Sequence, residues 1–560
     1  MYDDNEIEEI SPWFVIIITL IGAGLRVFLL SNKGLELEEA FSMWIANHSV
    51  ADMLKLIANI DHQPPLYYLL LHYWIKLNGV KPYDLRLLSA LFGAGTIPII
   101  YLIGKRISGV MMGLAAAVIL ALSPFNIRYA QEARMYTLLM FNAAVAIYAL
   151  VRLLTDTRAT KPIGSQFGEY LRTWRSTELV ESGTEKPFSY MDMISSQSGW
   201  RTWIARHRWL PIENIETDLA WAAFIVFSAL TMLSHNMGIL FLLATNIFVL
   251  GLMLFQRSKI KGSIPTFQAP SFSNWVKAQV GIFILWSPWI IAFIKQASKV
   301  SQGVGIPRPT WASVIQTVAS FLNEYTITQA SQMVVWILYV VVLGFGLVYF
   351  RRKIGQFSLW ACLFAIPFLG ELLLSIRQPI FLDRTLIWTT IPLFIILAAG
   401  IVQLRFRLLM VVMLGIFGLN NLFSASDYYR FAQNEDWSYP AGFVAKWVKN
   451  DDLILFNAPW AQIPFDYYFK AYEEKYFIQV EKHGAPVDMF DSGELEPTMT
   501  ESDIPRLITL MNGHNRIWLV YSQNSNTDPN QLIPQTIESE MNFIFMRDFN
   551  GVQVQFFASP

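Results

Sequence analysis

Runs of about 18 apolar residues recur along this chain, and each is long enough to cross the hydrocarbon core of a bilayer as a helix. They fall near 13–30, 85–104, 110–124, 134–151, 219–234, 237–255, 276–294, 332–350, 357–375, 385–402 and 408–424, about eleven in all. Inside lipid every backbone polar group must be paired within the protein, so such runs fold as helices. Charge agrees with this reading. Asp, Glu, Lys and Arg make up 15% of the 560 residues, against about 25% in soluble domains. The chain therefore reads as a polytopic α-helical membrane protein.

Basic residues orient the spans. Lys105-Arg106, Arg152, Arg257 with Lys259 and Lys261, Arg351-Arg352-Lys353, and Arg405 with Arg407 all fall on one side. Short basic loops stay in the cytoplasm, so the N-terminus is expected inside and the C-terminus outside. The first ten residues are acidic and lack a basic n-region, and no small-residue cleavage site follows. The first run is therefore expected to be a retained anchor rather than a signal peptide. A net charge of -1 points to no nucleic-acid partner. The single cysteine, Cys362, excludes an intramolecular disulfide and reads as a small buried residue.

Between the spans, an outer loop covers 31–84, and its apolar run 66–77 is too short to cross, so an interfacial helix is expected. A second outer loop covers Pro124–Arg134 and a third about 296–331. On the inside, 153–218 is a polar insertion with no chemical motif. Composition changes near 430. Leu453-Ile-Leu-Phe456 and Ile517-Trp-Leu-Val-Tyr521 read as buried strands, and Ala441–Lys449 after Pro440 as a helix. A membrane domain over 1–429 is thus expected to carry an extracytoplasmic α/β domain over 430–560.

Several polar groups stand at the predicted outer face. Glu38-Glu39, in Glu36-Leu-Glu-Glu39, reads either as a solvated pair or as a general base with a neighbouring acid. Such a second acid could tune the first or help bind a divalent cation. Asp61-His62-Gln63-Pro-Pro65 reads as a turn, or as a histidine facing a lipid phosphate. Arg128 and Glu132 are spaced for an internal ion pair; with Arg134 they could instead form an anion site. Arg377 and Arg384 bracket a second basic outer loop. Arg26, inside the first span, is expected to snorkel outward or to pair with an outer acid. His235 reads as a helix-end residue. No His/Cys/Asp constellation supports a transition-metal site, and no ligand motif points to a divalent cation, so the cofactor is left open.

In this order the motifs resemble those of the GT-C membrane glycosyltransferases. The closest resemblance is to the bacterial protein-mannosyltransferase-like group, glycosyltransferase family 39, with the lipid A aminoarabinose transferase as a relative. It rests on Glu38-Glu-Ala-Phe-Ser42, His62-Gln-Pro-Pro-Leu-Tyr-Tyr-Leu69, Arg86, Arg128–Tyr136, Ser234-His-Asn236, Arg377-Gln-Pro379 with Arg384, and Glu435-Asp-Trp437. It covers about 13–440. The family pattern has Asp-Glu where this chain has Glu38-Glu39, and often Arg-Tyr where this chain has Arg384-Thr385.

The resemblance implies a GT-C fold with its catalytic loop in 31–84, in a bacterial cytoplasmic membrane. It implies a polyprenyl-phosphate sugar as donor, inversion at the anomeric carbon, and an acceptor lipid, glycan or protein. Glu38 then takes the position of the catalytic Asp, and Glu39 positions or tunes it. Arg134 and Arg384 are the first candidates for the donor phosphate. His62, Arg86 and Arg377 are secondary candidates, and Glu132 lies beside them. Two other classes remain open. A lipid-linked-sugar or glycan transporter would share the many spans, and a glycan-binding membrane protein would leave the acid pair inert.

Overall fold

In the computed structural model each of the eleven apolar runs falls on helix. The described residues are 4–61, 63–156, 159, 212–257, 267–299, 308–323, 329–404, 406–431, 435–488 and 497–560. His62, Arg405 and most of the 153–218 insertion lie outside them. Among the described residues eight helices are long and apolar enough to span a membrane. The bent pair Val110–Leu122 and Pro124–Ala130 passes only when taken together, and the first and eighth runs carry the shorter apolar helices Ser11–Val27 and Val335–Phe350.

The helices relevant to the site come early. They are α1 (Asp4–Val27), α2 (Leu37–Ala46), α3 (Val50–Asn59), α4 (Leu66–Asn78), α5 (Pro82–Ser108), α6 (Val110–Leu122), α7 (Pro124–Ala130) and α8 (Tyr136–Thr155). The 66–77 run is indeed a helix too short to span. The loop Pro124–Arg134 is largely helical too: α7 bends 59° from α6. Pro124 at the first helical position ends α6, and the Ser123 hydroxyl caps α7 by accepting the Asn126 N–H.

That bend decides the fate of Arg26. It neither snorkels nor pairs with an acid. Fully buried, it donates to the Gly22 carbonyl at 2.9 Å and to Ala121 and Leu120 at 3.1 Å each. The last carbonyls of a helix have no partner within it, so the end of α6 offers acceptors that suit a cation. Elsewhere glycine allows close packing of spans. A Cβ on Gly104 would lie 2.8 Å from the Gly113 Cα, and one on Gly400 2.0 Å from the Val342 carbonyl oxygen.

All five described strands lie in the C-terminal region: β1 (Leu453–Phe456), β2 (Glu481–Gly484), β3 (Arg516–Ser522), β4 (Asn542–Phe549) and β5 (Val552–Ala558). They form one sheet in the order β2-β1-β3-β5-β4. β1 is parallel to β2 and β3; β5 is antiparallel to β3 and β4. Side chains alternate between two cores. Ile454, Phe456, Trp518 and Val520 face Phe465 and Phe469 of the helix Gln462–Tyr476. Leu453, Leu455, Ile517 and Leu519 face Leu507, Ile533 and Ile537.

This region is tied to the loop before α2. The Leu35 N–H donates to the Tyr468 hydroxyl at 2.8 Å, and the Tyr467 hydroxyl donates to the Val80 carbonyl at 3.1 Å. Leu37 packs against the sheet's core. The acid pair and the C-terminal domain therefore share one side of the helical bundle.

Candidate active site

Glu38 and Glu39 occupy the first turn of α2, just after its N-cap residue Glu36. They are adjacent in sequence but differ in almost every contact. Glu39 is 1% exposed. Its carboxylate accepts from Arg86 Nε at 2.8 Å and Nη2 at 2.5 Å, from the Ala133 N–H at 2.9 Å, and from the Glu36 N–H at 3.1 Å. The other Arg86 donors reach the carbonyls of Leu30 (3.0 Å), Lys33 (2.8 Å) and Gly34 (2.7 Å). A guanidinium has five N–H groups, and all five are used here. The pair staples the 30–39 loop to α5 and to the segment after α7.

Glu38 is half-buried, with its side chain 40% exposed. Arg384 grips it with two bonds, Nη2 to Oε1 at 2.9 Å and Nη1 to Oε2 at 3.2 Å. Arg134 Nε lies 3.4 Å from Oε2, and Arg134 Nη1 donates to the Ser42 hydroxyl at 3.0 Å. Had Glu38 lain more than about 10 Å from every such arginine, hydrogen-bond reach would have forbidden a shared reacting centre. It lies in contact with two. Burial works against ionisation of Glu38, but Arg134 and Arg384 outweigh it and hold its pKa below the ordinary carboxylate value.

Arg384 also stacks over the Tyr136 ring at 5.6 Å. The bonds to Glu38 and Ser42 use only part of the terminal N–H groups of Arg134 and Arg384, so each guanidinium has donor capacity left over. His235 follows its helix directly, as expected for a helix-end residue. Its Nδ1 accepts the Met237 N–H at 3.1 Å. Burial, with Arg134 and Arg384 nearby, pushes its pKa down to about 3 and keeps it neutral.

The other candidates divide. Arg128 Nε lies 3.5 Å from Glu132 Oε1, the internal pair that their spacing allows. Arg377 is exposed at the end of the helix Ile354–Arg377; among the described residues no hydrogen bond or ion pair joins it to the cluster. His62 lies outside the described residues. One contributor escaped the sequence reading: Lys33, whose Nζ sits 3.9 Å over the Tyr428 ring. Glu36 and Ser42 stood within the quoted motifs but were given no role of their own. Among the described residues no group of three or more His, Cys, Asp and Glu side chains is arranged to hold a metal ion.

Glu36 and Glu132 titrate abnormally. Burial first, then Glu132, Glu39 and Glu38, push Glu36 up to about 8. Burial pushes Glu132 up to about 7 against the pull of Arg128 and Arg384. An acid whose pKa is raised on folding lends full stability below its unfolded pKa, and loses it as pH rises through the folded value. Thermal-unfolding midpoints of the purified protein should therefore fall between about pH 5 and about pH 8. Glu36→Gln should flatten that decline; an unchanged slope would remove Glu36 as its source.

Compared with known proteins, residues 62–165 match the family model described as dolichyl-phosphate-mannose-protein mannosyltransferase. The match spans Arg86, Glu132 and Arg134 but not Glu38. No curated protein matches the chain. Among solved structures, ArnT from Cupriavidus metallidurans in the apo state aligns over 98% of both chains with TM-score 0.54 and 9% identity. The same protein bound to undecaprenyl phosphate aligns equally well, with TM-score 0.54 and 9% identity over 98% of both chains. The archaeal oligosaccharyltransferase AglB from Archaeoglobus fulgidus aligns over 97% of this chain and 74% of its own, with TM-score 0.49 and 10% identity.

Proposed function

We propose that this chain, which has the GT-C fold, is an inverting glycosyltransferase that moves a sugar from a polyprenyl phosphate to an acceptor hydroxyl. The reaction takes place at the outer face of a bacterial cytoplasmic membrane. The observation that carries the proposal is the Glu38–Arg384–Arg134 contact: one carboxylate and two guanidiniums at a single point, on the side that carries the C-terminal domain. Undecaprenyl phosphate, the ligand of the ArnT structure, supplies the class of lipid.

The roles follow from charge. The acceptor oxygen attacks the anomeric carbon as the bond from that carbon to the phosphate oxygen breaks. The bonding electron pair leaves with the phosphate, and the acceptor proton passes to Glu38. Negative charge on the phosphate grows as the bond breaks, so Arg384 and Arg134 bind the departing group more tightly than the ground state. Phosphate is a good leaving group at neutral pH and needs no strong general acid.

Glu38 and the donor phosphate compete for the same guanidiniums. Once phosphate engages Arg384, Glu38 loses one of the two partners that depress its pKa and becomes a better base. Donor binding thus activates the base. Glu39 and Arg86, each saturated by protein groups, position Glu38 rather than touch substrate.

The test is a transfer assay on purified protein with a panel of polyprenyl-phosphate sugars. Arg384→Ala should lower kcat about 10²- to 10³-fold, the usual loss for one preorganised donor to transition-state charge, and should raise the donor KM. Flux of lipid-linked sugar without turnover, or full activity in Arg384→Ala, would sink this reading.

A further inference from the structure

Glu371 lies in the span Ile354–Arg377 with no exposed surface. An ionisable group at that depth is costly unless it has a partner, and commonly marks a working part of the protein. Its partners are the Thr385 hydroxyl and the Leu382 backbone. The Thr385 hydroxyl oxygen lies 2.8 Å from Glu371 Oε1, 2.7 Å from Oε2, and 2.7 Å from the Leu382 carbonyl oxygen. Thr385 is the residue immediately after Arg384, and both sit in the 3₁₀ helix Asp383–Thr389.

The other side of Arg384 is held as well. Asp383 Oδ1 accepts the Arg384 N–H at 2.7 Å and the Tyr129 hydroxyl at 3.1 Å. The arginine backbone is therefore clasped between α7, through Asp383, and a membrane-embedded carboxyl, through Thr385. A 3₁₀ helix has poorer hydrogen-bond geometry than an α-helix and gains rigidity from such outside contacts.

We propose that Glu371 is a positioning residue: acting through Thr385, it fixes the turn that aims the Arg384 guanidinium at the donor phosphate. The proposal rests on the transferase reading above. It also gives a reason for a β-hydroxyl at position 385. A hydroxyl on Cβ stays beside its own backbone and meets Glu371 and the Leu382 carbonyl together, whereas a tyrosine hydroxyl lies a ring's length away.

The experiment uses full-length protein in nanodiscs, with undecaprenyl phosphate as the binding probe and sugar transfer as the second readout. Glu371→Leu and Thr385→Val should weaken undecaprenyl phosphate binding about tenfold or more, the scale of a misplaced charged hydrogen bond. Thr385→Ser and Glu371→Gln, which keep a hydrogen bond across the clasp, should stay close to wild type. The double variant Glu371→Leu/Arg384→Ala should bind no more weakly than Arg384→Ala alone, because residues acting through one group are not additive.

Wild-type affinity in folded Glu371→Leu or Thr385→Val overturns the proposal. So do additive losses in the double variant, or a Thr385→Ser variant as impaired as Thr385→Val. Should Glu371→Leu fail to fold, the near-isosteric Thr385→Val carries the test. Failure of both to fold would mean a purely structural bond and reject the positioning role. A wild-type protein that neither binds undecaprenyl phosphate nor transfers sugar rejects the transferase reading itself, and this inference with it.

Discussion

Glu38→Gln should lower kcat for sugar transfer about 10²- to 10⁴-fold, the range for removing a general base. Glutamine keeps the size of the side chain and loses its charge. The substitution also removes the carboxylate that engages Arg384 at 2.9 and 3.2 Å. Donor binding should then hold or tighten, because phosphate no longer competes with Glu38 for the two guanidiniums. The split is diagnostic: kcat falls while the dissociation constant for undecaprenyl phosphate does not rise. A variant with normal turnover would eliminate Glu38 as the base. A variant that loses binding and turnover together would make Glu38 a donor-site residue instead. Glu38→Asp is informative beside it. It keeps a carboxylate but shortens the reach by one methylene, so any activity it keeps measures the tolerance of the site.

Arg86→Met should cause the largest loss of stability, about 3–5 kcal/mol, the usual cost of removing one member of a buried ion pair. The pair is sealed, with Arg86 3% and Glu39 1% exposed. Methionine would leave the Glu39 charge unpaired and strand the carbonyls of Leu30, Lys33 and Gly34. The check is a thermal or denaturant midpoint in one fixed detergent. Adding Glu39→Met should recover part of the loss, since an apolar pair is tolerated where half an ion pair is not. Recovery stays partial because the three carbonyls and the Glu36 and Ala133 N–H groups still lack partners. If Arg86→Met kept the wild-type midpoint and lost only donor affinity, Arg86 would be a phosphate ligand.

Legibility in the sequence tracked the number of partners a feature needs. A span needs only lipid, and lipid accepts only long apolar helices, so all eleven runs were readable as helix, although among the described residues only eight are long and apolar enough to span outright. β1 and β3 were readable because both of their faces are buried, which leaves an unbroken apolar run. β2 was not: it is Glu-Lys-His-Gly, a polar edge strand that exists only because β1 pairs with it. α7 looked like a loop because seven residues are too few for a periodicity to show. Arg26 was misread because two of its three acceptors lie on α6, about a hundred residues away in sequence. Glu371 showed in the sequence only as an acid within the apolar run 357–375, since its meaning depends on Thr385 reaching it across the bundle.

The site followed the same rule. The sequence by itself determined that two acids stand just beyond the first span and that arginines recur in the later loops on that side. It could not divide the labour between Glu38 and Glu39. Neighbours on an α-helix point about 100° apart, so two adjacent, chemically identical side chains enter different surroundings. Only the tertiary structure decided that Glu39 turns inward to the saturated Arg86 while Glu38 turns to Arg384 and Arg134, which retain donors to spare. The same carboxylate is a structural staple in one direction and a candidate base in the other, because the dielectric and the partners change within one helical turn.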